Sequence, residues 1–287
     1  MKRKVLVLGS TGMIGHQVYR HLEQSGEYEL FNFSSRNKLN NQTIIIDATN
    51  DQEFFQEIKK TRPDFIINCI GILIEGSDAD KIRAIQLNAL LPHKLARLAD
   101  SINSKLLHMS TDCVFSGRKK EPYIENDEKD GLDTYAITKG LGEIISDRHL
   151  TLRTSVVGPE LKIDGNELFN WFMRQNIKIS GYPNAIWSGV TSLELAKVVK
   201  WAIDNDIIGL YHVTNNSCIS KFDLLQLFNK HSGNKIDIIP SDTVKVDKSF
   251  IDTRELIDFT IPTYDQMVSD MIKSIQSNSK LYPQYNL

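Results

Sequence analysis

Cysteine is scarce in this sequence: Cys69, Cys113 and Cys218 are far apart, odd in number and part of no CxxC pair or Cys/His cluster. That excludes a disulfide framework and a structural zinc site and points to free thiols in a reducing compartment. A basic excess is also missing. Lys+Arg 34 against Asp+Glu 36 leaves a formal net charge of −2, which argues against a generally cationic nucleic-acid or membrane-surface binder. The longest apolar stretch, Phe65 to Ile74, is broken by Asn68 and falls far short of the roughly 20 residues of a membrane span. The apolar run Val5–Leu8 after Met1-Lys-Arg-Lys is shorter than the about 7–15 residues of a signal-peptide core. The expected location is therefore the cytoplasm, with neither nucleic acid nor membrane as a partner. Internal repeats and Pro/Gly-rich linkers are absent too, so any two domains pack closely. What is present, in 287 residues, is 41% hydrophobic and 24% charged, enough to bury a core without staples and too apolar for a disordered chain.

The first half alternates short apolar runs with helical patterns. Val5–Leu8 reads as a buried strand ended by Gly9, and Ile14, Val18 and Leu22 as one face of a helix ending near Gly26. Strands are expected at Glu29–Phe33, Thr43–Ile46, Phe65–Cys69 and Lys105–Met109, with helices over Asp51–Thr61 and Asp80–Ile102, the latter kinked at Pro92. Such alternation predicts an α/β, Rossmann-type doubly wound parallel sheet. The second half is less regular. Thr191-Ser-Leu-Glu194 opens a helix carrying Leu195, Val198, Val199 and Ala202, and Leu210–Val213 is a strand. Ser220 and Asp223 open another helix that ends at Gly233. Pro262 and Thr263 open a last one, with Met267, Met271 and Ile275, before a loosely ordered tail from Ser277 to Leu287.

Gly9-Ser-Thr-Gly12-Met-Ile-Gly15 lies between the first strand and the first helix. There glycines permit a tight turn, close approach to a pyrophosphate and close helix–strand packing, and the helix N-terminus favours the anion. The second strand ends in Phe33-Ser34-Ser35-Arg36 where an NAD site would carry a carboxylate for the ribose 2′-hydroxyl. Two hydroxyls and a guanidinium suit a 2′-phosphate instead, which favours NADP(H). Tyr135-Ala-Ile-Thr-Lys139 puts a phenol and an ammonium on one face of a helix expected to continue through Leu141 and Ile144; the cation favours the phenolate. The fifth strand ends in Ser110-Thr111-Asp112, at the carboxyl edge where doubly wound sheets bind ligands, so Thr111 can hold a reacting carbonyl oxygen beside Tyr135.

Together these residues resemble the extended short-chain dehydrogenase/reductase superfamily, and within it the dTDP-4-dehydrorhamnose reductase family. The resemblance runs through Gly9–Gly15, Asn68–Gly71, Asn88 with Pro92, Ser110–Phe115, Pro122–Glu125, Tyr135–Lys139 with Gly142-Glu143, and Arg153-Thr-Ser155. It implies an NADPH-dependent reductase of a 4-keto (deoxy)sugar nucleotide serving surface polysaccharide synthesis, with Thr111, Tyr135 and Lys139 as the catalytic group and no metal assigned. Cofactor contacts are implied for Gly9, Thr11, Gly12, Met13, Ile14, Gly15, Ser34, Ser35, Arg36, Asp47, Ala48, Cys69, Ile70, Gly71, Asn88 and Ser110, as well as Tyr135 and Lys139. Asp112, Phe115, Val156, Trp187 and Lys248 are the candidate substrate residues, Trp187 being equally readable as core. The expected division is a Rossmann domain over 1–158, with a return segment near 190–216, and a smaller α/β substrate-binding domain over 159–287. A homodimer is left open. Three positions depart from the family pattern: Val156 stands where an aromatic residue usually packs on the sugar, Cys113 where a tyrosine is common, and Gly131 where a proline precedes the catalytic tyrosine. These leave the base and hexose open. A redox-neutral epimerase or dehydratase of the same superfamily, and a non-catalytic NADP-binding regulatory subunit, are the alternatives.

Overall fold

The computed structural model describes residues 2–254 and 259–287. Two compact units divide the chain: Met1–Ser116, Glu128–Arg153 and Ala196–Tyr211 form the first, and Gly117–Asp127, Thr154–Leu195 and His212–Leu287 the second.

The frame of the first unit is a seven-stranded sheet. Its strands are β1 (Arg3–Leu8), β2 (Tyr28–Ser34), β3 (Ile44–Ile45), β4 (Phe65–Asn68), β5 (Lys105–Thr111), β6 (Leu150–Thr154) and an edge strand, Gly209–His212. From one edge to the other the order is β3, β2, β1, β4, β5, β6 and the Gly209–His212 strand. The β1–β2, β1–β4, β2–β3 and β4–β5 pairs are parallel. Order reverses beside β1, the switch point at which doubly wound sheets open a crevice for ligands. Val5 to Leu8, buried on both faces, have no exposed surface, as the apolar run of a covered parallel strand requires.

Helix α1 (Met13–Ser25) sets Val18 and Leu22 into the core and stops where Gly26 turns left-handed at φ 67°. Helix α2 (Asp51–Thr61) is capped by the Asn50 side chain and presents Phe54 and Ile58 inward. They join Leu6, Leu8, Phe33, Ile66, Leu95 and Leu106 in one cluster, each such side chain contributing roughly 1.5–3 kcal/mol on burial. Phe33 and Phe54 meet edge to face at 6.1 Å.

A short helix, α3 (Ile74–Ala79), precedes the stretch expected as one long helix over Asp80–Ile102, which is instead α4 (Lys81–Ala84), a π-helical segment (Ile85–Leu90) and α5 (Leu91–Ser101). The irregularity falls before Pro92 rather than at it. Pro92 has no N–H to offer the carbonyl of Asn88 four residues back, and the wider turn accommodates that loss. Helix α6 (Thr134–Leu141) begins at Asp133, whose carboxylate accepts from the Ala136 N–H at 2.8 Å. It ends at Leu141, three residues short of the Ile144 expected from the pattern. Ile144 is drawn to β6, where its N–H donates to Thr151 Oγ1 at 3.1 Å and its carbonyl accepts from that hydroxyl at 2.7 Å. Gly142 sits at the junction so close to Asn88 that a Cβ there would lie 1.9 Å from the Asn88 carbonyl oxygen.

Among its described residues the second unit holds short strands, α7 (Leu168–Met173), the first residues of α8 (Ser192–Asp204), α9 (Lys221–Ser232) and α10 (Tyr264–Ser277). The expected caps are in place: Thr191 accepts from the Glu194 N–H, Ser220 from Asp223 and Thr263 from Gln266. The tail is ordered rather than loose. Tyr282 and Tyr285 are buried, Tyr285 meets Phe169 at 5.3 Å, and its hydroxyl accepts from the Glu160 N–H at 3.0 Å. Among the described residues no helix is long and apolar enough to cross a membrane.

Gly142→Ala is expected to lower stability by about 1–3 kcal/mol, since the methyl would run into the Asn88 backbone. Gly140→Ala, where a Cβ meets nothing closer than 3.5 Å, should be neutral or stabilising in its helix. Urea unfolding of the two variants checks both.

Candidate active site

The glycine loop leaves β1 with Gly9 at φ 75°. The N–H groups of Gly9 and Ser10 both donate to the Phe33 carbonyl at 3.0 Å, and Gly12 donates back to Gly9 at 3.0 Å. A Cβ on Gly15 would lie 2.2 Å from the Gly9 oxygen, and one on Gly9 would lie 3.1 Å from the backbone of Cys69. Only bare backbone fits these crossings, so α1 starts directly above the end of β1. Its first turn has neither a side-chain cap nor an acidic residue, which leaves Met13, Ile14 and Gly15 at a positive helix end. Behind the loop, His16 is buried with Nδ1 2.8 Å from the Gly12 carbonyl, and burial holds it down at about 4. It is thus a neutral structural donor that fixes the loop, a role its sequence position did not disclose.

At the end of β2 the predicted group divides. Ser34 is buried and its hydroxyl donates to the Asn37 carbonyl within its own loop, while Ser35 and Arg36 are exposed. Asp47, exposed after β3, accepts from Thr49 N–H and Oγ1 at 2.9 Å and lies 3.6 Å from Arg83. The Thr49 bonds, with the nearby Arg83 and Arg36 charges, hold its carboxyl below the usual range. Ala48 beside it is buried.

After β4 the chain runs through Cys69, Ile70 and Gly71. Asn88 is fully buried and grips this loop: its Oδ1 accepts from Ile72 N–H at 2.8 Å and its Nδ2 donates to the Ile72 carbonyl at 2.9 Å. The side chain expected at a cofactor therefore shapes the segment that carries Cys69 to Gly71.

The end of β5 collects the rest. Lys139, one turn after Tyr135 on α6, is buried and donates from Nζ to the Met109 carbonyl at 2.6 Å. Burial lowers it to about 8, with Glu143 and Cys69 acting in the opposite direction. Tyr135 is half-buried. Thr111 Oγ1 donates to Asp112 Oδ1 at 3.2 Å and accepts from the Cys113 N–H at 3.2 Å. Ser110 Oγ donates to Glu143 Oε1 at 2.6 Å. Asn68 Oδ1 accepts from Ile70 N–H at 3.1 Å, so its amide nitrogen faces His108 Nδ1 at 3.1 Å. That leaves the His108 proton on Nε2, a buried nitrogen with no partner among the described residues. Burial first, then the Lys139 charge, keeps His108 neutral.

Glu143 and Arg153 entered the sequence analysis only within the stretches that carry the resemblance, and their pairing was not read there. Arg153 Nε and Nη2 each bond the Glu143 carboxylate at 2.8 Å, and Lys129 Nζ stands 3.2 Å from it. The signal was present: a lone cation in the strand Leu-Thr-Leu-Arg153-Thr and a lone anion among Leu141, Ile144 and Ile145 each need a buried partner. Phe115, a predicted substrate residue, is fully enclosed, with the Arg153 guanidinium 4.9 Å from its ring centre. Gly131 departs from the family proline for a local reason. Its N–H donates to the Val114 carbonyl at 2.9 Å, and a Cβ would lie 2.6 Å from that of Ala136.

Three predicted substrate residues belong to the second unit. Val156 pairs with Val190 in a two-stranded parallel ladder. Trp187 is buried against Tyr264 at 5.6 Å, and its indole N–H donates to Ser155 Oγ at 2.7 Å. This is the packing expected of a core residue. Lys248 is half-buried, its stem beside Gly117.

The chain is similar to several known proteins. A dTDP-4-dehydrorhamnose reductase of Aggregatibacter actinomycetemcomitans is 27% identical over 250 residues, 81% of each chain. The protein of that name from Escherichia coli K12 is 25% identical over 236 residues, 78% of this chain and 76% of that one. Among solved structures, a dTDP-4-dehydrorhamnose reductase from Bacillus anthracis in complex with NADP superposes with a TM-score of 0.83 at 22% identity, covering 96% of this chain and 100% of that one. The model of the family described as RmlD substrate binding domain matches residues 3–275, and with this loop, sheet order and cluster around Lys139 the chain belongs to that family.

Proposed function

We propose that this protein is an NADP(H)-dependent reductase of a 4-keto (deoxy)sugar nucleotide, with Thr111, Tyr135 and Lys139 as the catalytic group. The observation that carries the reading is the burial of the Lys139 ammonium against the Met109 carbonyl, one helical turn from Tyr135 and at the strand end that bears Thr111. A solvated helix face, the ordinary explanation of a Tyr-x-x-x-Lys spacing, would not seal the lysine from water. The residues present fit a dinucleotide: Gly9 and Gly15 leave backbone room that any Cβ would fill, and the first turn of α1 is uncapped. Ser35 and Arg36 are the residues that would meet a 2′-phosphate, with Arg36 supplying charge-assisted bonds.

When bound, a reduced nicotinamide supplies the hydride equivalent that a keto carbon accepts. The Tyr135 phenol gives its proton to the oxygen that becomes alkoxide, and the Thr111 hydroxyl turns from Asp112 to hold that oxygen. The Lys139 ammonium favours the phenolate left behind. Asn88 keeps the Cys69–Ile72 loop in place through its two bonds to Ile72. The sugar and base stay at the level of class, because Val156 and Cys113 stand where the family usually carries aromatic side chains. Supply of an activated deoxysugar for a surface polysaccharide is the proposed context.

The test is loss of NADPH absorbance with a panel of 4-keto-6-deoxy sugar nucleotides. NADPH binding without turnover of any of them would defeat the proposal. Tyr135→Phe is expected to lower kcat by about 10²–10⁴-fold while leaving NADPH affinity unchanged. Arg36→Ala should weaken NADPH binding roughly 10–100-fold and leave NADH binding as it was, since only the former carries the 2′-phosphate. Because burial brings the Lys139 ammonium down to about 8, its charge is lost above that value and the rate should fall as pH rises through it.

A further inference from the structure

The Glu143 carboxylate is wholly enclosed, with no side-chain exposure, yet carries four polar contacts. Two come from Arg153 and one from Lys129; the fourth is the Ser110 hydroxyl, immediately before Thr111. Lys139 lies four residues earlier, at the last turn of α6, and its ammonium bonds the carbonyl of Met109, immediately before Ser110. Two side chains from one short segment thus hold successive residues of the β5 terminus. We propose that Glu143 is a positioning residue for the reaction: it fixes Ser110 beside Thr111 and supplies the counter-charge that lets Lys139 keep its proton inside the protein. This rests on the reductase reading above for its catalytic consequence, but its physical content does not.

The surroundings of Lys139 give Glu143 that part. Cys69, facing it from the loop after β4, is pushed up to about 12 by burial and stays a neutral thiol. His108 on β5 is held neutral in the same way. Tyr135 shares its helix. Asp112, on the turn after β5, is engaged with Thr111. Glu75, Asp78, Lys81 and Arg83, on the α3 and α4 helices that pack against α6, are exposed or half-exposed and screened by water. Behind Glu143 stand the two cations Arg153 and Lys129, which keep its carboxyl ionised despite burial. With the carboxylate gone, Lys139 would face burial together with two unbalanced positive charges. Its proton would leave at lower pH.

Full-length protein carrying [13Cε]lysine allows Lys139 to be titrated by NMR, with Lys139→Met identifying its resonance. Glu143→Gln is expected to lower the Lys139 midpoint by about one pH unit, near the small end of the effect of an opposite charge. Glu143→Asp should restore most of it. The alkaline limb of kcat should move with the midpoint, with little change in KM. An unmoved midpoint in Glu143→Gln overturns the proposal. Should that variant not fold, Lys129→Met at the half-exposed mouth of the cluster tests the same coupling with opposite sign. It should raise the midpoint by a few tenths of a unit, and no movement overturns the idea. The titration needs no substrate, so a protein that reduces no sugar nucleotide but shows these shifts defeats the reductase reading alone. Turnover with an unresponsive Lys139 defeats the role of Glu143 alone.

Discussion

A charged amine cut off from water must find its compensation in the protein, and Lys139 sets that demand at the centre of this fold. The Met109 carbonyl meets one of its protons, and the carboxylate of Glu143 works against the cost of burying its charge. A carboxylate so placed needs partners of its own, which Arg153, Lys129 and Ser110 supply. To aim Glu143 inward the chain must leave α6 at once, and it does so at Gly142, where it passes the Asn88 carbonyl too closely for any side chain. That carbonyl belongs to the turn ahead of Pro92, where the ordinary helical donor is missing. Residues spread from 88 to 153 are in this way constrained by a single buried positive charge.

Much of the frame was legible because it is written in periodicity. Buried parallel strands announce themselves as short unbroken apolar runs, and α8, α9 and α10 carry caps that sequence alone identifies. Asp51–Thr61 is found at the expected bounds. What escaped has particular causes. Ile144 continues the helical pattern by spacing, but two bonds to Thr151 are worth more to it than another helical turn. The Pro92 irregularity was foreseen in kind and misplaced, because a missing donor acts four residues upstream of the ring. The tail looked polar and loose, since its anchoring depends on Tyr282 and Tyr285 finding pockets far away in sequence.

The site was legible in its types and less so in its tasks. The glycine loop, Asn88, Ser110, Thr111 and Lys139 were named from sequence, yet Asn88 and Ser34 prove to spend their polar atoms on neighbouring loops. Phe115 and Trp187 are enclosed, each with a polar neighbour inside its own unit. A spacing rule says which residues share a face. It does not say which of several donors a given side chain will satisfy, because that is decided by groups brought in from elsewhere in the chain.

Ser110 shows how far such a decision reaches. A hydroxyl has one hydrogen and two lone pairs, and here the hydrogen is committed to Glu143 at 2.6 Å. Towards anything else that approaches, Ser110 can only accept. The rim of β5 therefore has a polarity built into it: an amide or hydroxyl that brings its own hydrogen is welcome at this point, whereas a carboxylate or bare carbonyl would meet lone pair with lone pair. A buried glutamate thus imposes a sense of direction on a neighbouring alcohol, and through it a filter on what the edge of the sheet will tolerate.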